Sequence, residues 1–215
     1  MAAKKRSPQA KTAKPRQKVS EQNPLTWLYT NPQGSSDGFT FGVLRKTFRG
    51  RENSAHEFGW RKCHVGTHID VSDRSVWSPN VEKVEVVLPA KADDLLSDPD
   101  VLLRQADEFV SPTEAGLLTY VTLPLGDMDR LHTAWERARS YAVSLASSRK
   151  VASVVVLHSP GAIGAPYPLH AHLCIVPKVL TGLGLAHGAY DQELLHDAGQ
   201  DILRELWEDH LDKCP

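Results

Sequence analysis

The sequence predicts an α+β domain, because two kinds of hydrophobic periodicity occupy different segments of the chain. Apolar residues recur at spacings of three and four in residues 127–146, which is typical of an amphipathic helix. Other short segments alternate in polarity or are rich in β-branched and aromatic residues, as strands are; these are residues 39–48, 81–89, 117–124, 151–158 and 169–176. The 215 residues, 41% of them hydrophobic, suffice for one such domain with a tail.

The first 38 residues are predicted to form a disordered basic arm, and the domain is predicted to extend from residue 39 to residue 215. Seven cationic residues precede the first acidic residue, Glu21; they are Lys4, Lys5, Arg6, Lys11, Lys14, Arg16 and Lys18. The segment has no apolar periodicity, which favours disorder. Such an arm can neutralise DNA phosphates, but a solubilising tail has the same composition, so both interpretations stay open.

Each element has its own signal along the domain. After the strand at residues 39–48, Ser54 and Glu57 have the spacing of a capping box, which predicts a short helix. The strands at residues 81–89 and 117–124 both end in Leu-Pro and enclose a helix predicted for residues 93–110. In the helix at residues 127–146, Trp135 lies on the apolar stripe and is assigned to the core. A last helix is predicted for residues 193–211.

The chain is expected to be cytoplasmic and to have no membrane partner. No apolar run approaches the roughly 18 residues of a membrane span, and no hydrophobic stretch follows the N-terminal cations. Cys63, Cys174 and Cys214 are odd in number and widely spaced, so we expect free thiols rather than a zinc ribbon.

Three histidines form a candidate metal site. His170 and His172 lie two residues apart on a predicted strand, so their side chains project from the same face. The Gly- and Pro-rich residues 160–168 can return the chain antiparallel to the preceding strand, which ends at His158. Three converging imidazoles would leave open coordination positions on a divalent metal. The alternative is that His170 and His172 are two ordinary imidazoles in a sheet.

The histidine segments carry a resemblance to a known family. His158-Ser-Pro160, the loop after it and Leu169-His-Ala-His-Leu173 resemble the relaxase domain of the MobA/MobL family of plasmid mobilisation proteins, which are HUH endonucleases. Residues 50–63, the Leu-Pro strand ends, the helix at residues 127–146 and residues 203–211 are also similar, so the resemblance covers about residues 39–212. It implies a five-stranded antiparallel sheet flanked by helices.

The resemblance also implies an activity. In the family three histidines, here His158, His170 and His172, hold a divalent ion, for which Mn²⁺ or Mg²⁺ is expected ahead of Zn²⁺. A tyrosine on the early helix attacks a phosphate of single-stranded DNA at a transfer origin and stays linked to the 5′ phosphate. The implied role is nicking and strand transfer in conjugation or mobilisation of a plasmid, with accessory mobilisation proteins as possible partners.

The sequence departs from the family at the nucleophile, because Trp60 occupies the tyrosine's place on the early helix. The candidate replacements are Tyr120 and Tyr29. Tyr120 also occupies a place where the family tends to have an acidic residue near the metal. It is therefore a displaced nucleophile, a hydrogen-bonding substitute for that carboxylate, or a cross-strand aromatic residue. Tyr29 precedes the first predicted strand and would have to fold back.

Three functions remain open. The chain is an active relaxase with a relocated tyrosine, or a relaxase-derived DNA-binding protein without nuclease activity. Either would contact phosphates through cations that could equally form a solvated face; they are Arg45, Lys46, Arg49, Arg51, Arg61 and Lys62. The third possibility is a histidine triad nucleotide hydrolase, in which Cys174 replaces the nucleophilic histidine. His158 has a role in a three-histidine metal site but none in a histidine triad.

Overall fold

A computed structural model describes residues 18–21, 23–29, 37–64, 78–114 and 116–213. Its main sheet has six strands in the order β1-β2-β6-β8-β7-β5, every neighbouring pair is antiparallel, and β3 and β4 form a separate hairpin. The strands are β1 (Leu28–Tyr29), β2 (Thr40–Arg45), β3 (Thr47–Phe48), β4 (Arg51–Glu52), β5 (Val81–Val87), β6 (Gly116–Pro124), β7 (Ala152–His158) and β8 (His170–Val176). The α-helices are α1 (Ala55–His64), α2 (Pro99–Glu108), α3 (Leu131–Ser148) and α4 (Ala198–Lys213). Among these described helices, none is long and apolar enough to cross a membrane.

The predicted α+β class, an antiparallel sheet flanked by helices, is confirmed. The predicted strand count is one too low, because the five predicted strands correspond to β2, β5, β6, β7 and β8, and β1 adds a sixth at the edge beside β2. The helix predicted at residues 93–110 is divided into a 3-10 turn, Asp94–Ser97, and α2, because Asp98 caps α2 and Pro99 begins it.

The folded part of the chain begins before residue 39. Leu28 pairs with Leu44 of β2, and Trp27 is fully buried while its indole Nε1 donates to the carbonyl oxygen of Ser20 at 2.8 Å. These residues were assigned to the disordered arm, and that boundary is too late, since a two-residue strand has too little periodicity to be seen in the sequence. Residues 1–17 of the predicted arm lie outside the described residues.

The sheet separates two apolar clusters, one on each face. Alternate residues of the central strands, such as Val121 and Leu173, pack with α3 and α4, where Trp135 is buried as predicted. The residues between them, such as Tyr120 and Cys174, face α1 and α2. The sheet is therefore covered on both faces, and any side chain can be assigned to a face from its place in its strand.

The start of α1 is fixed by a contact that the sequence did not indicate. The backbone N–H of Glu57 donates to Ser54 Oγ at 3.1 Å, as in the predicted capping box, but the Glu57 carboxylate pairs with Arg61 at 2.8 Å. Asp107 of α2 supplies the other cap, because its carboxylate accepts from Ser54 Oγ at 2.6 Å and from the N–H groups of Ala55 and His56 at 2.6 and 3.0 Å. The two helices are thus joined at the N-terminus of α1.

The pairing of β7 with β8 positions the histidines. His158, the last residue of β7, lies directly opposite His170, the first residue of β8. On the other side of β8, Thr122 of β6 lies opposite His172. The return predicted for residues 160–168 is therefore confirmed as an antiparallel connection, and it brings three histidines from two strands to one end of the sheet.

Candidate metal centre

His158, His170 and His172 form one compact cluster on the α1 face of the sheet. Their ring centroids are 4.7 Å (His158–His172), 4.8 Å (His170–His172) and 5.5 Å (His158–His170) apart. One nitrogen from each ring lies within 4.8 Å of the others, and among the described residues no carboxylate or thiol joins this group. The structure therefore brings together all three histidines named from the sequence.

Burial keeps these rings neutral at neutral pH. His158 and His172 are each 7% exposed, and His170 is partly buried. Burial, followed by the nearby charge of His170, lowers the pKa of His158 from 6.5 to about 4. Burial also lowers the pKa of His170, and it lowers that of His172 well below 6.5. A neutral imidazole has the lone pair that a metal ion requires.

Two of the rings are held through Nδ1, which leaves Nε2 to face the cluster. His170 Nδ1 donates to the carbonyl oxygen of Pro168 at 2.8 Å. His172 Nδ1 lies 2.6 Å from the hydroxyl of Tyr120 and 3.2 Å from that of Thr122, and Thr122 Oγ1 donates to the Tyr120 hydroxyl at 2.9 Å. A hydrogen bond at the nitrogen remote from the metal is the usual way in which proteins orient a metal-binding histidine.

His158 is held at both nitrogens. Its Nε2 donates to the backbone carbonyl of Lys62 at 2.8 Å, and its Nδ1 accepts from Asn80 Nδ2 at 3.1 Å. His170 and His172 therefore fit a metal as they stand, whereas His158 would have to exchange one of these bonds for a metal contact. The bond to Lys62 also ties the last strand residue of β7 to the C-terminal end of α1.

Lys62 is buried beside the cluster, so the expectation that it belongs to an exposed face with the other predicted DNA-binding cations is wrong. The residue is 8% exposed, and its amino group lies 4.8 Å from the ring centroid of Tyr120 and 5.3 Å from that of Phe58. Burial lowers the pKa of Lys62 from 10.5 to about 8. Its charge contributes to the lowered pKa values of all three histidines. The sequence carries no signal for this burial, because lysine is rarely buried.

The position of Tyr120 fits the second of the roles considered for it, a hydrogen-bonding partner of the cluster. It is fully buried, its hydroxyl contacts His172, and its ring meets Phe58 edge-on with centroids 5.4 Å apart. Burial raises the pKa of the Tyr120 hydroxyl far above 10. The geometry is that of a hydrogen-bonding substitute for a carboxylate, and a fully enclosed hydroxyl is in the wrong place to attack a DNA phosphate.

Tyr29 lies on the opposite face of the sheet. It pairs with Val43, which packs in the cluster under α3 and α4, and directly paired residues share a face. Three strand positions also separate β1 from β8 in the sheet, or about 14 Å at the usual strand spacing. As the structure stands, Tyr29 does not reach the histidines.

Trp60 does not face the sheet. It lines a groove between α1 and α2 together with His56, Cys63 and Leu103, and it stacks on His64 with ring centroids 5.1 Å apart. The α1 side chains that lie against Tyr120 are Phe58 and Lys62, each two residues and about 200° round the helix from Trp60. The position that was compared with the family's tyrosine is therefore not the one that α1 turns towards the cluster.

The other five predicted DNA-binding cations lie around β1 to β4 and the adjoining side of α1. Arg45 stacks over Tyr29 at 3.9 Å and Arg51 over Trp27 at 3.8 Å, measured from the guanidinium carbon to the ring centroid. Arg51 also pairs with Glu21, and Arg61 pairs with Glu57. Lys46 and Arg49 are exposed. This group, Arg45, Lys46, Arg49, Arg51 and Arg61, is referred to below as the arginine–aromatic cluster.

Cys174 does not support the histidine triad alternative. It is fully buried among the apolar residues under α1 and α2, and burial raises the pKa of its thiol to about 12. A neutral buried thiol is a poor nucleophile, because the thiolate is the reactive form. His158, which a histidine triad does not use, lies inside the cluster instead.

Comparison with solved structures finds a protein of similar fold. No protein-family model matches the sequence, and no curated protein matches it. A solved structure from work on the molecular basis of vancomycin resistance transfer in Staphylococcus aureus is similar to this chain, with a TM-score of 0.60 and 19% sequence identity. The likeness covers 81% of this chain and 92% of that one. At this identity the likeness shows that the two chains share a fold.

Proposed function

We propose that this chain is a relaxase-like domain that binds a divalent metal ion through His158, His170 and His172 and nicks single-stranded DNA at a transfer origin during mobilisation of a genetic element. The convergence of three neutral imidazoles at one end of the sheet carries the proposal. The shared fold with a chain from resistance transfer supports the mobilisation role. Membership of the MobA/MobL family remains a prediction.

The donor set favours a transition metal. Three imidazole nitrogens without a carboxylate suit Fe²⁺ or Zn²⁺ better than Mg²⁺ or Mn²⁺, which more often take oxygen ligands. Of the two ions preferred from the sequence, Mn²⁺ is the transition metal and so the better match to nitrogen ligands, and it is the ion used in the tests below. When bound, such an ion offsets the negative charge that develops on a phosphate during attack.

The protein's own residues prepare the cluster for this role. Burial keeps the three rings unprotonated, and the carbonyl oxygen of Pro168 orients His170. With its Nδ1–H donated to the Tyr120 hydroxyl, His172 presents the lone pair of Nε2. The buried ammonium group of Lys62 adds a fixed positive charge near the position that a phosphate would occupy.

DNA binding is assigned to the exposed cations of the arginine–aromatic cluster. Lys46 and Arg49 are the most accessible of them, whereas Arg51 and Arg61 are partly neutralised by acidic partners. The exposed cations can follow the phosphates of a single strand, while the aromatic rings beneath Arg45 and Arg51 hold those guanidinium groups in place. The contribution of these cations should decrease with salt.

A second function follows if none of the positions considered for the nucleophile from the sequence can attack DNA. The described part of α1 carries Trp60 rather than a tyrosine, while Tyr120 is enclosed and Tyr29 faces away from the cluster. The chain would then be a relaxase-derived protein that binds metal and single-stranded DNA without cutting it.

Metal and DNA binding test the proposal separately from cutting. Mn²⁺ binding is measured by titration calorimetry, and DNA binding by the mobility of labelled single strands that tile the DNA flanking the gene. We expect binding of both, with Mn²⁺ binding reduced at least about 100-fold in a His170→Ala, His172→Ala double variant. The matched control is His132→Ala, at an exposed histidine of α3. A wild-type chain that binds neither Mn²⁺ nor any tile would refute the proposal.

A further inference from the structure

The nucleophile of the proposed reaction can be sought among all five tyrosines, since all lie in described parts of the chain. Tyr120 and Tyr141 are fully buried. Tyr190 is partly buried, and its hydroxyl accepts from the backbone N–H of Ser111 at 3.0 Å. Tyr29 is partly buried under the guanidinium of Arg45. Tyr167, by contrast, is 70% exposed, and so its hydroxyl is the most accessible to a DNA strand.

Tyr167 lies beside the histidine cluster. It is in the connection between His158 and His170, and it immediately precedes Pro168, whose carbonyl oxygen accepts from His170 Nδ1 at 2.8 Å. Three residues of extended chain span at most about 11 Å, so the Cα atom of Tyr167 lies within about that distance of the Cα atom of His170. A tyrosine side chain covers a large part of this distance, so Tyr167 turned towards His170 would bring its phenolic oxygen to a phosphate bound at the cluster.

The backbone at Tyr167 is held on both sides. Pro166 and Pro168 fix their own φ angles, and each proline also favours an extended conformation in the residue before it. The Leu169 carbonyl oxygen accepts from the Leu125 N–H at 3.1 Å, which attaches this segment to the turn after β6. The connection thus presents an exposed side chain from an anchored backbone, which lowers the entropy lost on positioning it.

We propose that Tyr167 is the nucleophile that replaces the tyrosine missing from α1, an inference that rests on the proposed function. The phenolic oxygen of Tyr167 bonds to phosphorus as the bond from phosphorus to the 3′ oxygen breaks. The phenolic proton passes to water, and the departing 3′ oxygen takes a proton from water and becomes a hydroxyl. One phosphodiester is exchanged for another, so that no oxidant, reductant or further reactant is needed.

The test is a covalent adduct assay with the full chain. The single-stranded tiles that bind are incubated with protein and Mn²⁺, denatured, and separated to detect cut DNA and protein linked to it. The linked peptide is then identified by mass spectrometry. We expect the adduct on Tyr167 and a loss of more than about 100-fold in Tyr167→Phe. The control Tyr190→Phe, which also removes one hydroxyl from a loop tyrosine, should keep the adduct.

The outcomes separate this inference from the proposed function. Tyr167→Phe alters an exposed side chain, so its Mn²⁺ binding, DNA binding and circular dichroism should match those of the wild type. An adduct on another residue, or DNA and Mn²⁺ binding without cleavage of any bound tile, overturns the assignment of Tyr167 and leaves the metal site standing. A chain that binds neither Mn²⁺ nor DNA overturns the proposed function itself.

Discussion

Replacing Tyr120 by phenylalanine tests whether its hydroxyl orients a metal-binding histidine. The change removes the group that lies 2.6 Å from His172 Nδ1 and keeps the ring that meets Phe58 edge-on. Without that contact His172 Nδ1 keeps only the longer contact with the Thr122 hydroxyl, at 3.2 Å, so the ring is oriented less firmly. Loss of such a partner typically weakens metal binding 10- to 100-fold, or by about 1.4 to 2.8 kcal/mol.

The cost of Tyr120→Phe to stability should be smaller than its cost to metal binding. The hydroxyl of Thr122 lies 3.2 Å from His172 Nδ1 and can replace Tyr120 as its partner. The free energy of unfolding without metal should therefore fall by only about 1 kcal/mol, at the low end of the cost of leaving a buried polar group unpaired. Denaturant unfolding measures this change, and titration calorimetry with Mn²⁺ measures the affinity.

Tyr141 provides a matched control on the other face of the sheet. It is also fully buried, and its hydroxyl donates to the carbonyl oxygen of Leu203 at 2.7 Å. Tyr141→Phe should lose a similar amount of stability and keep full Mn²⁺ affinity. The reasoning is refuted if Tyr120→Phe binds Mn²⁺ as tightly as the wild type, or if Tyr141→Phe weakens binding equally.

Three further predictions use the same unfolding and titration measurements. Lys62→Met should stabilise the metal-free protein by up to about 3 kcal/mol at neutral pH, because burial lowers the pKa of Lys62 to about 8. Between about pH 8 and about pH 10.5 the unfolded wild-type chain binds more protons than the folded one. The free energy of unfolding should therefore rise over that range in the wild type and not in the variant. As the pH falls from about 7 to about 5, the free energy of unfolding of the wild type should decrease by about 2 kcal/mol through His158, because the pKa of this residue is about 4 in the folded chain and 6.5 in the unfolded chain. An equal decrease in His158→Asn would contradict this. A chain that starts at residue 39 should be less stable by more than about 3 kcal/mol than one that starts at residue 18, because it lacks the buried Trp27; equal stabilities would restore the original boundary.

Periodicity was sufficient to predict most of the fold. The stripe of α3, with Trp135 in the core, follows from spacings of three and four, the strands β5 and β6 from alternating polarity, and β7 from its continuous apolar run. The histidine cluster was predictable for the same reason. Residues two apart on a strand share a face, and a short return brings a third histidine opposite the first.

The contacts that hold the cluster were not predictable, because they join residues far apart in the sequence. Tyr120 meets His172 across 52 positions, and the Lys62 carbonyl accepts from His158 across 96. Lys62 was misassigned to the surface because lysine is rarely buried, and only the packing of α1 against the sheet places it inside. β1 was missed because two residues give no period.

The charges around the cluster lead to an expectation about how metal and DNA bind together. The cluster has no carboxylate among the described residues, its three rings are neutral, and the buried ammonium of Lys62 lies nearby. A dication that binds beside Lys62 is repelled by it, and so metal binding alone should be weak. A phosphodiester placed between the two positive charges reduces that repulsion and is itself attracted by both. We therefore expect single-stranded DNA to tighten Mn²⁺ binding and Mn²⁺ to tighten DNA binding by the same factor, since the two affinities are linked.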